Sequence, residues 1–148
     1  MKDLASYLNS NLTDPMRKGH VLVVVKPGFE HLLSTLTQMF IDNQYKIVKS
    51  VTKRLQLSEA KRLYTIHKKE DFYNDLCEYM SSGPSTAFIL KKNTEHIFKD
   101  FAKIKDEVRE KYSQSEMRNV LHSSDSYKNF THEAGVYFYN INQPDLLD

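Results

Sequence analysis

Apolar positions recur along the chain in two periods, and the switches between them outline its elements. His20 to Val25 is a continuous valine-rich run ending at Lys26-Pro27-Gly28, which predicts a buried strand with Lys26 at its end. From His31 to Phe40, residues Leu32, Leu33, Leu36, Met39 and Phe40 share one helical face. Tyr45 to Leu55 reads as a second strand with irregular alternation. Leu57-Ser58-Glu59-Ala60 opens a helix, with Ser58 as its cap, that carries Leu63 and Tyr64 and frays between His67 and Asp71. Phe72 to Met80 predicts a further helix with Phe72, Leu76, Cys77 and Met80 as its stripe, stopped by Ser81-Ser82-Gly83-Pro84. Thr86 to Leu90 is a third strand. Asn93 to Val108 is a charged helix with Ile97, Phe98, Phe101, Ile104 and Val108 inward. Val120 and Leu121 lead into His122, and Ser123-Ser124-Asp125-Ser126 reads as the start of a helix from about Ser124 to His132. Gly135 to Tyr139 is the last predicted strand.

Four strands interleaved with helices, without a repeat, predict an α+β sandwich: an antiparallel sheet covered by helices on one face. A doubly wound parallel sheet is the alternative, but the chain has too few βα units for it. Residues 1–18 read as an N-terminal extension, with Leu4, Tyr7, Leu8 and Leu12 at helical spacing before Thr13-Asp14-Pro15 breaks the pattern. Residues 19–148 read as one domain.

Composition narrows the chemistry mainly by exclusion. A chain of 148 residues with 40% hydrophobic and 27% charged residues supports one ordinary globular core. A net charge of +2 supplies no basic field for nucleic acid, and the lysine clusters read as solvated faces. One cysteine, Cys77, rules out an internal disulfide framework and a cysteine zinc site. No apolar run suits a membrane span or a signal peptide, so a cytoplasmic setting is expected. The glycines form neither G-x-G-x-x-G nor G-x-x-x-x-G-K-[ST], so anions must be held by side chains and helix ends.

The candidate chemistry centres on His122. A histidine just ahead of a helix start lies near unpaired N–H donors and the positive end of a helix dipole, where phosphate is stable. Neutral imidazole, with an ordinary pKa of about 6.5, is a competent nucleophile near neutral pH. Its second nitrogen needs a partner to fix the tautomer, and Glu133, one or two turns into the following helix, can fold back to it.

Several separated segments then line up with one family. Val25-Lys26-Pro27-Gly28 resembles the Lys-Pro-Asp-Gly segment ending the first strand of nucleoside diphosphate kinases. Tyr64, Phe72 and Leu76 have the spacing of that family's nucleotide-site helix pair. Tyr79 to Pro84 is similar to its Tyr-Met-x-Ser-Gly-Pro turn, and His122 to Ser126 resembles its His-Gly-Ser-Asp-Ser motif. The likeness runs from about residue 20 to 139. It implies a ferredoxin-like four-stranded antiparallel sheet and a ping-pong transfer of the γ-phosphate of a nucleoside triphosphate through a phosphohistidine at His122. By resemblance, Glu133 orients the histidine, Lys26 and Arg109 neutralise phosphate, and Tyr64 bonds near the transferred group. Asn119 with Lys26 holds the ribose, Phe72 stacks on the base, and Leu76 belongs to the nucleotide site. The expected cofactor is Mg²⁺ riding on the phosphates, with Asp125 touching it through water and no direct protein ligand. ATP and other nucleoside di- and triphosphates are the expected partners, in a homo-oligomer of two or more chains.

The sequence also departs from this pattern. The Asp after Lys26-Pro27 is missing, and the chain is shorter between Pro84 and Arg109. No threonine takes the family's phosphate-binding place; Lys99 is the expected substitute for a second phosphate arginine, without the guanidinium fork. Glu116 stands where the family has an apolar residue beside the base. Ser123 replaces a glycine, at a cost if that position needs positive φ. The expected result is a kinase with a thinned phosphate cradle. The alternative is a catalytically weak nucleotide-binding or protein-interaction module, and a nucleic-acid module rests only on the lysine-rich stretch 99–111.

Overall fold

The middle of the molecule is β1 (His20–Val25), whose six residues are all buried. An unbroken apolar strand is what a sheet covered on both faces requires, and alternate β1 residues enter separate cores. Val21, Val23 and Val25 join one apolar cluster, whereas Leu22 and Val24 join the other. The expected one-sided covering is thus corrected: helices lie on both faces. The computed structural model describes residues 19–138. The N-terminal extension, with its expected helix, lies outside them.

In chain order, α1 (Leu33–Asp42) follows β1 through a short 3-10 turn, then β2 (Lys46–Lys53), α2 (Leu57–Leu63), α3 (Tyr73–Met80) and β3 (Ser85–Lys91). Next come α4 (Ile97–Tyr112), β4 (Leu121–Ser123) and α5 (Tyr127–Phe138). The four strands form one antiparallel sheet in the order β2-β3-β1-β4. Helices α1 and α4 cover one face through Leu36, Phe40, Phe101 and Val108; α2, α3 and α5 cover the other through Leu63, Met80 and Phe130. The irregular alternation of β2 has a cause: its register against β3 shifts between Ile47 and Lys49, a bulge that moves the following side chains by one place.

Three sequence expectations change at the C-terminal end. Gly135 to Phe138 is helical, the last turn of α5, and Tyr139 lies outside the described residues. Val136, Tyr137 and Phe138 are strand formers, but all three are buried against the sheet, and tertiary packing overrides their propensity. The fourth strand is instead the three-residue β4, centred on His122 and paired with β1 at Val24. The helix after it begins at Tyr127, not Ser124. Ser126 is the residue whose hydroxyl accepts the Asn129 N–H, whereas the Ser124 hydroxyl accepts the Leu22 N–H of β1. At α2 the cap is Gln56 rather than Ser58, with the Gln56 N–H donating back to Glu59 Oε1. Among the described residues, no helix is long and apolar enough to cross a membrane.

Candidate active site

Three segments converge at the β1–β4 side of the sheet. The strand end delivers Lys26, and the chain turns at Gly28, whose φ of +92° suits glycine. Tyr79 of α3 donates its hydroxyl to the Pro27 carbonyl, and the Arg118 guanidinium lies over the Tyr79 ring at 4.9 Å. This brace joins the Lys26 turn to the segment entering β4. Lys26 itself is 5% exposed, and its Nζ donates to Asn119 Oδ1 at 2.8 Å and to the Met117 carbonyl at 3.3 Å. Burial, then the nearby Arg109 and Lys105 cations, lower its pKa to about 7.

His122 is held by backbone and side chain together. Its neighbour Val120 has a φ of +78°, and the Leu121 N–H donates to the Asn119 carbonyl two residues back at 3.0 Å. This is a γ-turn in the left-handed region, strained for a β-branched residue by about 1–3 kcal/mol. The Lys26 N–H anchors it by donating to the Val120 carbonyl at 2.8 Å. The strain expected at Ser123 is therefore absent there and falls on Val120. On the far side, His122 Nε2 meets Glu133 Oε1 at 2.6 Å, with Glu133 only 2% exposed. A buried carboxylate acceptor places the proton on Nε2 and leaves Nδ1 with its lone pair free. The Tyr64 ring stands edge-on to the imidazole at 5.4 Å between centroids.

These groups line a cavity of about 420 Å³. Its polar side includes Lys26, Arg109, Asn119 and His122, with Tyr64 behind them. The Arg109 Nη2 donates to the Leu121 carbonyl at 2.8 Å, fixing the guanidinium, while its Nε is buried without a partner. The Tyr64 hydroxyl is likewise buried without a partner, and burial pushes its pKa well up, so it stays a proton donor. These two unsatisfied donors, one of them on the Arg109 guanidinium, lie beside the Lys26 amine and fit a phosphate group, whose oxygens would supply the missing acceptors. Phe72, Leu76, His67 and Met117 form the apolar side, and Glu116 completes the lining.

The residues singled out from sequence are not all here. Phe72 lies one residue ahead of α3 and is 44% exposed at the cavity, rather than buried in a helical stripe. Lys99 lines a separate open depression beyond β4, together with Lys105 and Asp125. Lys105 is the α4 cation near Arg109, because it sits one turn before it on the same helix side. Asp125 Oδ1 accepts from Asn129 Nδ2 at 2.6 Å. Sequence reasoning missed His67, which packs against Phe72 with centroids 5.3 Å apart, and the Met117 carbonyl that holds Lys26. A backbone acceptor leaves no sequence signal, but His67 was findable from its place five residues before Phe72. Among the described residues, no three His, Cys, Asp or Glu side chains gather into a metal cage. The cationic cavity fits a metal that arrives bound to phosphate.

The nucleoside diphosphate kinase sequence profile matches residues 19–142. The chain belongs to the nucleoside diphosphate kinase family. The chain is 33% identical to the nucleoside diphosphate kinase of Chlorobaculum tepidum, a match covering 79% of this chain and 91% of that one. With the Thermoplasma volcanium enzyme the identity is 29%, over 79% and 86% of the two chains. The solved Aquifex aeolicus nucleoside diphosphate kinase superposes with a TM-score of 0.68 at 25% identity, covering 80% of this chain and 94% of that one. The antiparallel four-stranded sheet with its helices is the ferredoxin-like α+β fold of the family.

Proposed function

We propose that this member of the family, a nucleoside diphosphate kinase-like phosphotransferase, moves the γ-phosphate of a nucleoside triphosphate to a nucleoside diphosphate through His122. The observation that carries this reading is His122 on the wall of a cavity that also holds Lys26, Arg109 and an unpartnered Tyr64 hydroxyl, with the buried Glu133 behind it at 2.6 Å. Glu133 holds the Nε2–H tautomer, so Nδ1 attacks the γ-phosphorus. The bond from phosphorus to the β–γ bridging oxygen breaks, and the nucleoside diphosphate leaves with that electron pair. Glu133 stabilises the positive charge that develops on the ring. A second diphosphate then attacks the phosphorus through a terminal β-phosphate oxygen, the N–P bond breaks, and Nδ1 recovers its lone pair. No net proton is consumed.

Positioning and charge compensation supply most of the catalysis in such a transfer. Lys26 and Arg109 neutralise the phosphate oxygens, the Tyr64 hydroxyl donates to the transferring group, and Asn119 with Lys26 holds the ribose. Phe72 and Leu76 offer the base its apolar surface. A Mg²⁺ ion entering with the phosphates would supply further charge neutralisation, with no direct protein ligand; Asp125, expected to touch it through water, lines the separate depression with Lys99 and is not on the cavity wall. We further assign the protein to the cytoplasm as a homo-oligomer of at least two chains, which light scattering tests.

Incubation with γ-labelled ATP and Mg²⁺ is expected to label the protein in an acid-labile, alkali-stable form. His122→Ala should lose label and transfer while melting as the parent does. A folded parent that takes no label, or a His122→Ala variant that still transfers, would overturn the reading.

A further inference from the structure

One lining group of the cavity belongs neither to its phosphate side nor to its apolar side. The cations and the free hydroxyl gather around His122, and Phe72, Leu76 and Met117 supply the apolar surface, yet Glu116 also lines the cavity. Glu116 is exposed, and its carboxylate makes no hydrogen bond or ion pair among the described residues. Its backbone is fixed, because the Asn119 Nδ2 donates to the Glu116 carbonyl at 2.9 Å. That same Asn119 side chain accepts from Lys26, so Glu116 is tied to the site rather than free on a surface loop.

A carboxylate repels phosphate, so within this lining it suits the nucleoside end, to which Phe72 and Leu76 are assigned. An ionised carboxylate is an acceptor only, with two oxygens that can take two parallel N–H donors. Among the common bases, guanine presents two such donors side by side on one edge, N1–H and the N2 amino group. Uracil presents one N–H between two carbonyls; adenine and cytosine each present one amino group beside an acceptor nitrogen. An acceptor-only group meets repulsion at every one of those neighbouring atoms.

We propose that Glu116 makes the nucleoside end of this cavity selective for guanine, accepting N1–H and N2–H from its Watson–Crick edge. The inference rests on the phosphotransfer reading for its substrate class. The test compares GDP with IDP, which lacks only the N2 amino group, as phosphate acceptors in the transfer assay and as ligands in calorimetry. GDP is expected to be favoured about tenfold in kcat/KM, with the difference in KM, as suits one charge-assisted hydrogen bond at an exposed site. In Glu116→Val the ratio should fall to about one, with Glu116→Gln in between, and an unchanged melting temperature shows that the fold is kept. Equal use and equal binding of GDP and IDP by the parent, or a preference that survives in Glu116→Val, overturns the inference. If no phosphohistidine forms but GDP still binds more tightly than IDP, and Glu116→Val abolishes that difference, the base selectivity stands and only the transfer reading falls.

Discussion

Lys26 makes a quantitative prediction about protons. The unfolded chain keeps its ammonium to about pH 10.5, whereas burial and the Arg109 and Lys105 cations hold the folded value at about 7. Between those values the unfolded state binds the extra proton, so this group's contribution to folding stability rises with pH from about 7 upward. A phosphate arriving next to Nζ reverses the balance by restoring the charge. At pH 8 about one free molecule in ten carries the Lys26 charge, so nucleotide binding should take up about 0.9 proton per site; at pH 6 the uptake through Lys26 should fall to about 0.1. Calorimetric titration of ADP in two buffers of different ionisation enthalpy measures this directly. The Lys26→Met variant, which fills similar space without a titrating group, subtracts protons exchanged by the nucleotide itself. Equal proton uptake by parent and Lys26→Met at pH 8 would refute the reasoning, because it would mean Lys26 is already charged in the empty cavity.

Two further outcomes follow from atoms without partners and from strain. Tyr64→Phe removes a buried hydroxyl that bonds to nothing in the empty site, so the variant should melt at or above the parent's temperature, by up to about 1–3 kcal/mol of stability, while transfer falls about tenfold or more. A drop in both stability and activity would show that the hydroxyl serves the fold. Val120→Gly relieves a positive φ, whereas Val24→Gly does not, and both side chains are fully buried. In chemical denaturation Val120→Gly should therefore cost about 1–3 kcal/mol less than Val24→Gly, and equal costs would remove the strain from the account.

Much of the fold was legible because burial writes itself into long apolar runs. β1 and β3 are central and almost wholly buried, so His20–Val25 and Ser85–Lys91 carry little polar interruption. β4 was not legible. It has three residues, of which two, His122 and Ser123, are polar, and it starts after a turn that valine disfavours. With that strand hidden, Gly135 to Tyr139 looked like the fourth, although Lys53 Nζ caps the Val136 carbonyl and Tyr137 shares a hydrogen bond with Ser85 from a helix. At the site, the pairing of His122 with Glu133 could be reached from spacing together with the family resemblance, since one element follows the other directly. Lys99 could not be judged so: it lies ten residues before Arg109, about 15 Å along α4, too far to share one phosphate.

The bend at Val120 is closed by main-chain atoms alone, Leu121 N–H to Asn119 carbonyl and Lys26 N–H to Val120 carbonyl. Every amino acid except proline carries the atoms those two bonds need. The direction of His122 is thus set by bonds to which no side chain contributes, although the positive φ still makes the residue type at 120 matter. Neither Ser123, which has no positive φ to carry, nor Glu116 in the cavity lining supplies an atom to those two bonds. The main chain sets where the imidazole points, and the side chains do the chemistry.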